Sequence, residues 1–232
     1  MIEHWRELLY PLGFISSLAF GARFIVQWIK SEIRKKSVVT SSFWKFSLAG
    51  NILLFIHSVI QLQFHVCLIQ AINGVISWRN LNLMKPAHKH VKRKFVFILL
   101  IATLTLTPLL FIFQNLLMAP QDSSWFRVPN HSWNSENFSI SYAWHLFGFI
   151  GLVLFNSRFW IQWWYAEKTQ SSHLGVSFWW ISLVGTFFSL IYFILIQDPV
   201  NLVGPAIGII PYIRNLVLIS KTKALKTVPD TQ

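Results

Sequence analysis

The sequence predicts an all-α membrane protein whose seven transmembrane helices are arranged 3+1+3, as two parallel repeats of a three-helix bundle joined by one helix. Three observations lead there. The chain is 54% hydrophobic and only 12% charged, whereas a soluble domain carries about 25% charge. Seven apolar stretches, near 8–29, 42–62, 64–83, 95–118, 142–165, 176–196 and 199–219, are long enough to span about 30 Å of hydrocarbon as helices. The third observation is an internal duplication.

The duplication has a fixed offset of 135 residues and needs no gap. Arg23, Phe24, Gln27, Trp28, Glu32, Phe43, Trp44, Ser47, Leu48, Gly50, Arg79, Asn80 and Leu81 recur as Arg158, Phe159, Gln162, Trp163, Glu167, Phe178, Trp179, Ser182, Leu183, Gly185, Arg214, Asn215 and Leu216. Residues 13–81 and 148–216 agree at about a third of positions, mainly at Arg, Gln, Trp, Asn and Gly rather than at common aliphatics. The period exceeds that of a solenoid unit and suits two copies of a small bundle plus a connector. The expected units are therefore a first repeat at 8–84, a basic loop and linker helix at 85–118, an outer loop at 119–141, a second repeat at 142–219 and a tail at 220–232.

Alternating the sides of the spans sorts the charges. One side receives Lys30, Arg34, Lys35, Lys36, the run from Lys85 to Lys94, Lys168 and the tail lysines, and the other only Arg6 and Arg127. The positive-inside rule then places the N-terminus outside and the C-terminus in the cytoplasm. The net charge of +12 is explained by this orientation, and no nucleic-acid partner is expected. A single linker helix returns the chain to its starting face, so the second triplet enters as the first did. That connectivity resembles the SWEET sugar-permeating proteins and their PQ-loop relatives.

Smaller features fit the same reading. The twelve Trp and twenty-one Phe are expected in interfacial belts and on lipid-facing surfaces. Cys67 is the one cysteine and lies in an apolar run, so no intrachain disulfide is expected. The start of the chain lacks a positive n-region and a small-residue cleavage site, so the first helix is expected to be retained. The outer loop is expected over the mouth of the bundle, and its Asn-x-Ser triplets at Asn130 and Asn137 are read as chance. Pro205 and Pro211, with Gly204 and Gly208, are expected to weaken or kink the last helix. The histidines show no metal-ligand spacing and no motif calls for a cofactor.

The candidate site follows from rare residues in apolar segments. Arg23 and Arg158 fall within spanning helices, about 9 Å before the inner end, and side-chain tilt directs them toward the membrane centre. Glu32 and Glu167 follow nine residues later, half a turn out of phase and about 13 Å away, so neither neutralises its own arginine. An intramembrane arginine without an acid requires carbonyls, water or an anionic ligand. Gln27 and Gln162 share the arginine face. Stripes containing Ser47, Asn51 and Ser58, or Gln70, Asn73, Ser77 and Asn80, with their counterparts through Asn215, converge on a common interior or serve as interhelical glue. Arg79 and Arg214 near the inner interface are either topological anchors or phosphate contacts.

The paired motif Arg-Phe-x-x-Gln-Trp with a later Glu, then Phe-Trp-x-x-Ser-Leu-x-Gly, Asp198-Pro199-Val200 and Tyr212-x-Arg214-Asn215-Leu216, resembles the lipid A biosynthesis N-terminal domain. Gly204-Pro205 departs from the Gly-Gln of that pattern, and the first copy lacks the Asp-Pro-Val turn. That family occurs alone or ahead of lipid-A-disaccharide synthase, which joins a UDP-linked diacylglucosamine to its monophosphate. The sequence after the seventh span holds no nucleotide-sugar domain, so this chain is not expected to be that glycosyltransferase by itself. The resemblance implies a multi-pass protein of the bacterial inner membrane in the lipid A or lipid-linked sugar pathway. Its expected cargo is a phosphate-bearing glycolipid or polyprenyl-phosphate sugar, bound and translocated through Arg23, Gln27, Asn51, Asn73, Arg79, Asn80, Arg158, Gln162, Arg214 and Asn215. The alternatives are a membrane platform for a lipid A pathway glycosyltransferase, and a SWEET-like facilitator of free sugar.

Overall fold

A computed structural model describes residues 2–117, 125–127 and 140–227, with side chains over 5–117, 125–127 and 140–221. Among the described residues the secondary structure is helical except for an isolated antiparallel bridge between Gln63 and Phe126. Helix α1 (Ile2–Leu9) leads through a 3-10 turn at Tyr10–Leu12 into α2 (Gly13–Arg34); α3 (Ser41–Ile60), α4 (Phe64–Leu83) and α5 (Arg93–Leu117) follow. Beyond the outer loop come α6 (Tyr142–Thr169), α7 (Val176–Leu195) and α8 (Pro199–Thr227). By length and hydropathy five of these helices could cross a membrane: α2 with the residues before it, α3, α5, α7 and α8. Helices α4 and α6 are diluted by buried polar residues such as Gln70, Asn73, Asn156 and Arg158.

The duplication is written into the backbone. The non-glycine residues with positive φ are Lys35 (51°), Leu62 (57°), Gln170 (50°) and Gln197 (52°), two pairs at the repeat offset. Lys35 and Gln170 cap α2 and α6 in the left-handed conformation that commonly ends helices, and Leu62 and Gln197 turn the chain into α4 and α8. Helix α3 packs on α2 and α4, and α7 packs on α6 and α8. The triplets meet along two further seams, α2 with α8 and α4 with α6, which close a ring of six, while α5 packs on α4. The ring's lower end is the one toward which α2, α4, α6 and α8 run.

Helix α2 itself begins at Gly13, after the 3-10 turn that holds Pro11, and runs on to Arg34; with the residues before it, from Trp5, it makes one stretch of spanning length. Arg23 and Arg158 each lie eleven residues before the end of their helix, about 17 Å along it. Helix α8 contains Pro205 and Pro211 within one helical run, as a helix held by packed neighbours can. Of the outer loop, Trp125–Arg127 lie on the α3–α4 turn: Phe64 N donates to Trp125 O (2.9 Å) and Arg127 N to Leu62 O (3.1 Å). Asn130 and Asn137 lie outside the described residues.

Candidate functional site: a cavity between two buried arginines

The repeated motif is built to close on its twin. Across the α2–α8 seam Gln27 and Asn215 exchange amide hydrogen bonds of 2.9 and 3.1 Å. Across the α4–α6 seam Gln162 and Asn80 do the same at 2.7 and 3.0 Å. Below each amide pair lies an ion pair. Arg79 binds Glu167 through two bonds of 2.6 and 2.9 Å, and Arg214 forks onto Glu32 in the same manner. Trp28 and Trp163 donate to those two glutamates. The glutamate one turn past each Gln-Trp thus serves the other repeat's arginine.

The two seams are unequal. Side-chain exposure is 2% and 1% for Arg79 and Glu167 but 37% and 27% for Arg214 and Glu32. Arg79 also donates to Asn82 Oδ1 and Val91 O. Trp44 Nε1 donates to Ser172 Oγ (2.7 Å), which in turn donates to Asn80 Oδ1 (2.6 Å). The counterparts at the other seam, Trp179 Nε1 and Ser37 Oγ, have no partner.

Above this double clamp stand Arg23 and Arg158, both buried. Arg23 Nη1 donates to Ser47 Oγ (3.2 Å) and Arg158 Nη1 to Tyr212 Oη (3.2 Å). Their remaining surroundings are aromatic. The Arg23 guanidinium lies 4.6, 4.5, 5.7 and 5.1 Å from the ring centres of Phe20, Phe24, Phe43 and Phe159. Arg158 lies 3.6, 4.8, 5.7 and 5.9 Å from Phe155, Phe159, Phe178 and Phe24. Phe24 and Phe159 are shared by both cations. Gly50 and Gly185 make this arrangement possible: a Cβ at Gly50 would lie 2.6 Å from the Phe20 ring, and one at Gly185 would lie 2.3 Å from Phe155 Cα. Gly208 likewise leaves room for the Tyr212 hydroxyl.

Ring faces stabilise a cation by about 2 kcal/mol when desolvated, yet they leave its N–H edges unfilled. Arg23 Nε, Arg158 Nε and Arg158 Nη2 have no hydrogen-bond partner, and neither arginine forms an ion pair among the described residues. Both line a cavity walled by Asn51, Gln70, Asn73, Asn156 and Asn201 on its polar side and by Phe20, Leu54, Leu152, Phe155 and Phe193 on its apolar side. Some carboxamides bond each other, as Asn73 does Asn156 (2.6 Å), while Asn51 donates to Ser77 Oγ (3.0 Å). The space open to the centres of water molecules is about 50 Å³, enough for about four waters. At the upper end Asp198 accepts from Tyr10 Oη (2.7 Å), Gln63 Nε2 (2.8 Å) and Asn201 Nδ2 (2.8 Å). Gln63 and Asp198 are themselves repeat equivalents.

The lipid A biosynthesis N-terminal domain model matches residues 12–82 and again 147–217. The chain belongs to that family. It is 38% identical over 96% of its length to the lipid-A-disaccharide synthase of Chlamydia felis, and 38% identical over 94% to that of Chlamydia abortus. Identity to the Chlamydia pneumoniae synthase is 35% over 97% of the chain. The chain spans about a third of the length of these relatives, 34–35%. No solved structure matches it.

Each matched segment of this lipid A domain contains one arginine of the cavity and one half of each clamp. Of the ten expected contact residues, Arg23, Arg158, Asn51 and Asn73 line the cavity. The other six, Gln27, Gln162, Asn80, Asn215, Arg79 and Arg214, are taken up by the protein, because their polar atoms pair across the seams. Gln70, Asn156 and Asn201 join the cavity wall. The phenylalanines require a correction: Phe24, Phe43, Phe155, Phe159 and Phe178 are buried around the guanidinium groups rather than lipid-facing. Their recurrence at the repeat offset was the available signal, since Phe20, Phe24 and Phe43 all recur.

Proposed function

We propose that this membrane domain binds a phosphate-bearing glycolipid or polyprenyl-phosphate sugar, with the phosphate between Arg23 and Arg158 and the sugar hydroxyls on Asn51, Gln70, Asn73 and Asn156. The carrying observation is the set of unfilled N–H edges on two buried, unpaired guanidinium groups. An uncompensated charge at mid-membrane depth costs about 2.5–3.5 kcal/mol on insertion scales, and residues that bear such a cost mark binding sites. In this proposal the halves are SWEET-like parallel repeats in the bacterial inner membrane, with the N-terminus periplasmic. The cargo crosses as the Asp198 closure and the lower clamp open in turn. The cavity's present size supports a closed state, since small-ligand pockets measure about 300–1,000 Å³. Native mass spectrometry of the purified protein is expected to find a retained phosphate-bearing lipid that Arg158→Gln loses. Equal retention by the variant would remove this reading.

A second reading is favoured by the length of the relatives, which are named as synthases and are about three times as long as this chain. In it the domain is a platform that presents lipid to a lipid A pathway glycosyltransferase. Co-purification of such an enzyme, lost on neutralising the run from Lys85 to Lys94, is its expected signature.

A further inference from the structure

We infer that the lower end of the cavity opens through the α2–α8 seam alone, so that a ligand passes sideways between those helices into the bilayer while the α4–α6 seam stays shut. The inference rests on the reading that the cavity exchanges a lipid, and it adds the route. The same motif closes both seams, so the residues that break the repeat determine which one parts. At the level of the cavity, Asn73 on α4 donates to Asn156 on α6 (2.6 Å), and Trp160 Nε1 on α6 donates to Asn73 Oδ1 (3.3 Å). Their repeat equivalents at the other seam are Gly208, Gly21 and Ile25, which carry no polar side chain. Below the cavity, Asn80 is bound by Ser172 as well as by Gln162, whereas the Ser37 hydroxyl at the other seam has no partner. Asn82 accepts from Val91 N (2.8 Å) and donates to Lys89 O (3.0 Å), which pins the loop after α4 around Arg79. Its equivalent, Val217, can form neither bond.

The linker helix straps one side only. Helix α5 packs on α4, with the Phe95 ring centre 6.4 Å from that of Trp78, and reaches across to α6, with the Phe97 ring 5.6 Å from that of Trp163. It therefore lies over the lower α4–α6 seam and leaves the α2–α8 seam to face lipid. Helix α8 also bends more readily than α4, because Pro205 and Pro211 lack the N–H that closes a helical bond, where α4 has Gln70 and Ile76. At its upper end α8 is fixed, since Ser17 Oγ donates to Val200 O (2.6 Å) and Tyr10 Oη to Asp198. Parting its lower part from α2 breaks one amide pair and a partly exposed ion pair whose place water takes. Parting α4 from α6 leaves the buried Arg79 and Glu167 charges each without a partner.

Distances between spin labels in nanodiscs test the route. In a Cys67→Ala background, one label pair is placed at Ile33→Cys and Ser220→Cys on the α2–α8 side, and its repeat equivalent at Lys168→Cys and Lys85→Cys on the α4–α6 side; all four positions are exposed. The first pair is expected to show a second, longer distance and the other pair a single one. Arg214→Gln is expected to raise the longer component by up to about 5-fold, the worth of an exposed ion pair. Bridging the first pair with a bismaleimide is expected to abolish exchange of pre-bound radiolabelled farnesyl phosphate, and bridging the second to leave exchange intact. A second distance at the Lys168 and Lys85 positions, a single distance at both pairs, or exchange that survives the α2–α8 bridge would overturn the inference. A protein that retains no farnesyl phosphate at all would instead count against the anion-binding reading, and the label distances still decide between the seams.

Discussion

Gly185→Ala is the most informative single-atom perturbation of this fold. The added Cβ would lie 2.3 Å from Phe155 Cα and 2.7 Å from Phe155 N. Those are backbone atoms, so no side-chain rotation relieves the contact, and α6 and α7 must separate locally by about 1 Å to restore van der Waals distance. Overpacking of this kind costs about 1–3 kcal/mol, and alanine returns about 1 kcal/mol of helix propensity. With the contact at its closest on backbone, a net loss of about 2 kcal/mol is expected, or about 4–8 °C in the unfolding midpoint for a chain of this size. The same shift moves the Phe155 ring, 3.6 Å from the Arg158 guanidinium, so lipid binding should weaken alongside. Gly50→Ala meets the Phe20 ring at 2.6 Å, and a ring can swing, so its loss is expected to be smaller. Gly74→Ala has nothing nearer than Asn51 Cβ at 3.9 Å and should be neutral or stabilising. Differential scanning fluorimetry in detergent ranks the three. A Gly185→Ala protein melting with the wild type or above it would refute the packing argument.

Two further outcomes follow from the closures. Arg79→Gln strands the buried Glu167 carboxylate and is expected to cost about 3–5 kcal/mol, whereas Arg214→Gln breaks a solvent-screened pair and should leave the melting curve nearly unchanged; equal effects would show that the seams are equivalent. Asp198→Asn turns three bonds to a charged acceptor into neutral ones, a loss of about 1 kcal/mol each. Pre-bound labelled lipid should therefore dissociate faster from Asp198→Asn in a chase experiment, and an unaltered rate would separate the upper closure from lipid exchange.

The sequence made the helices and the duplication legible because hydropathy and identical spacing are local properties. It located Arg23 and Arg158 for the same reason, since a cation in an apolar run stands out without any knowledge of its neighbours. It could not assign Gln27 to Asn215 or Glu167 to Arg79. Those contacts depend on the triplets closing into a ring, which only the assembled packing defines. A hint existed, because Gln, Glu, Arg and Asn all recur in register. The break between α1 and α2 was not legible, because hydropathy does not register the 3-10 turn at Pro11. The phenylalanines were assigned to lipid because composition carries no information about facing. The imbalance between the seams was illegible for a different reason: it arises from non-repeated positions such as Asn82 and Val91, which engage Arg79 alone.

The central claim concerns where a lipid phosphate binds, and saturation binding of a radiolabelled lipid phosphate monoester in nanodiscs measures it most directly. Wild type, the Arg23→Gln/Arg158→Gln double variant and a variant with Lys85, Lys89 and Lys92 changed to Gln would be titrated side by side. Saturable binding is expected to vanish in the double arginine variant and to persist in the loop variant. Persistence in the arginine variant with loss in the loop variant would contradict the account and place the lipid on the basic loop instead.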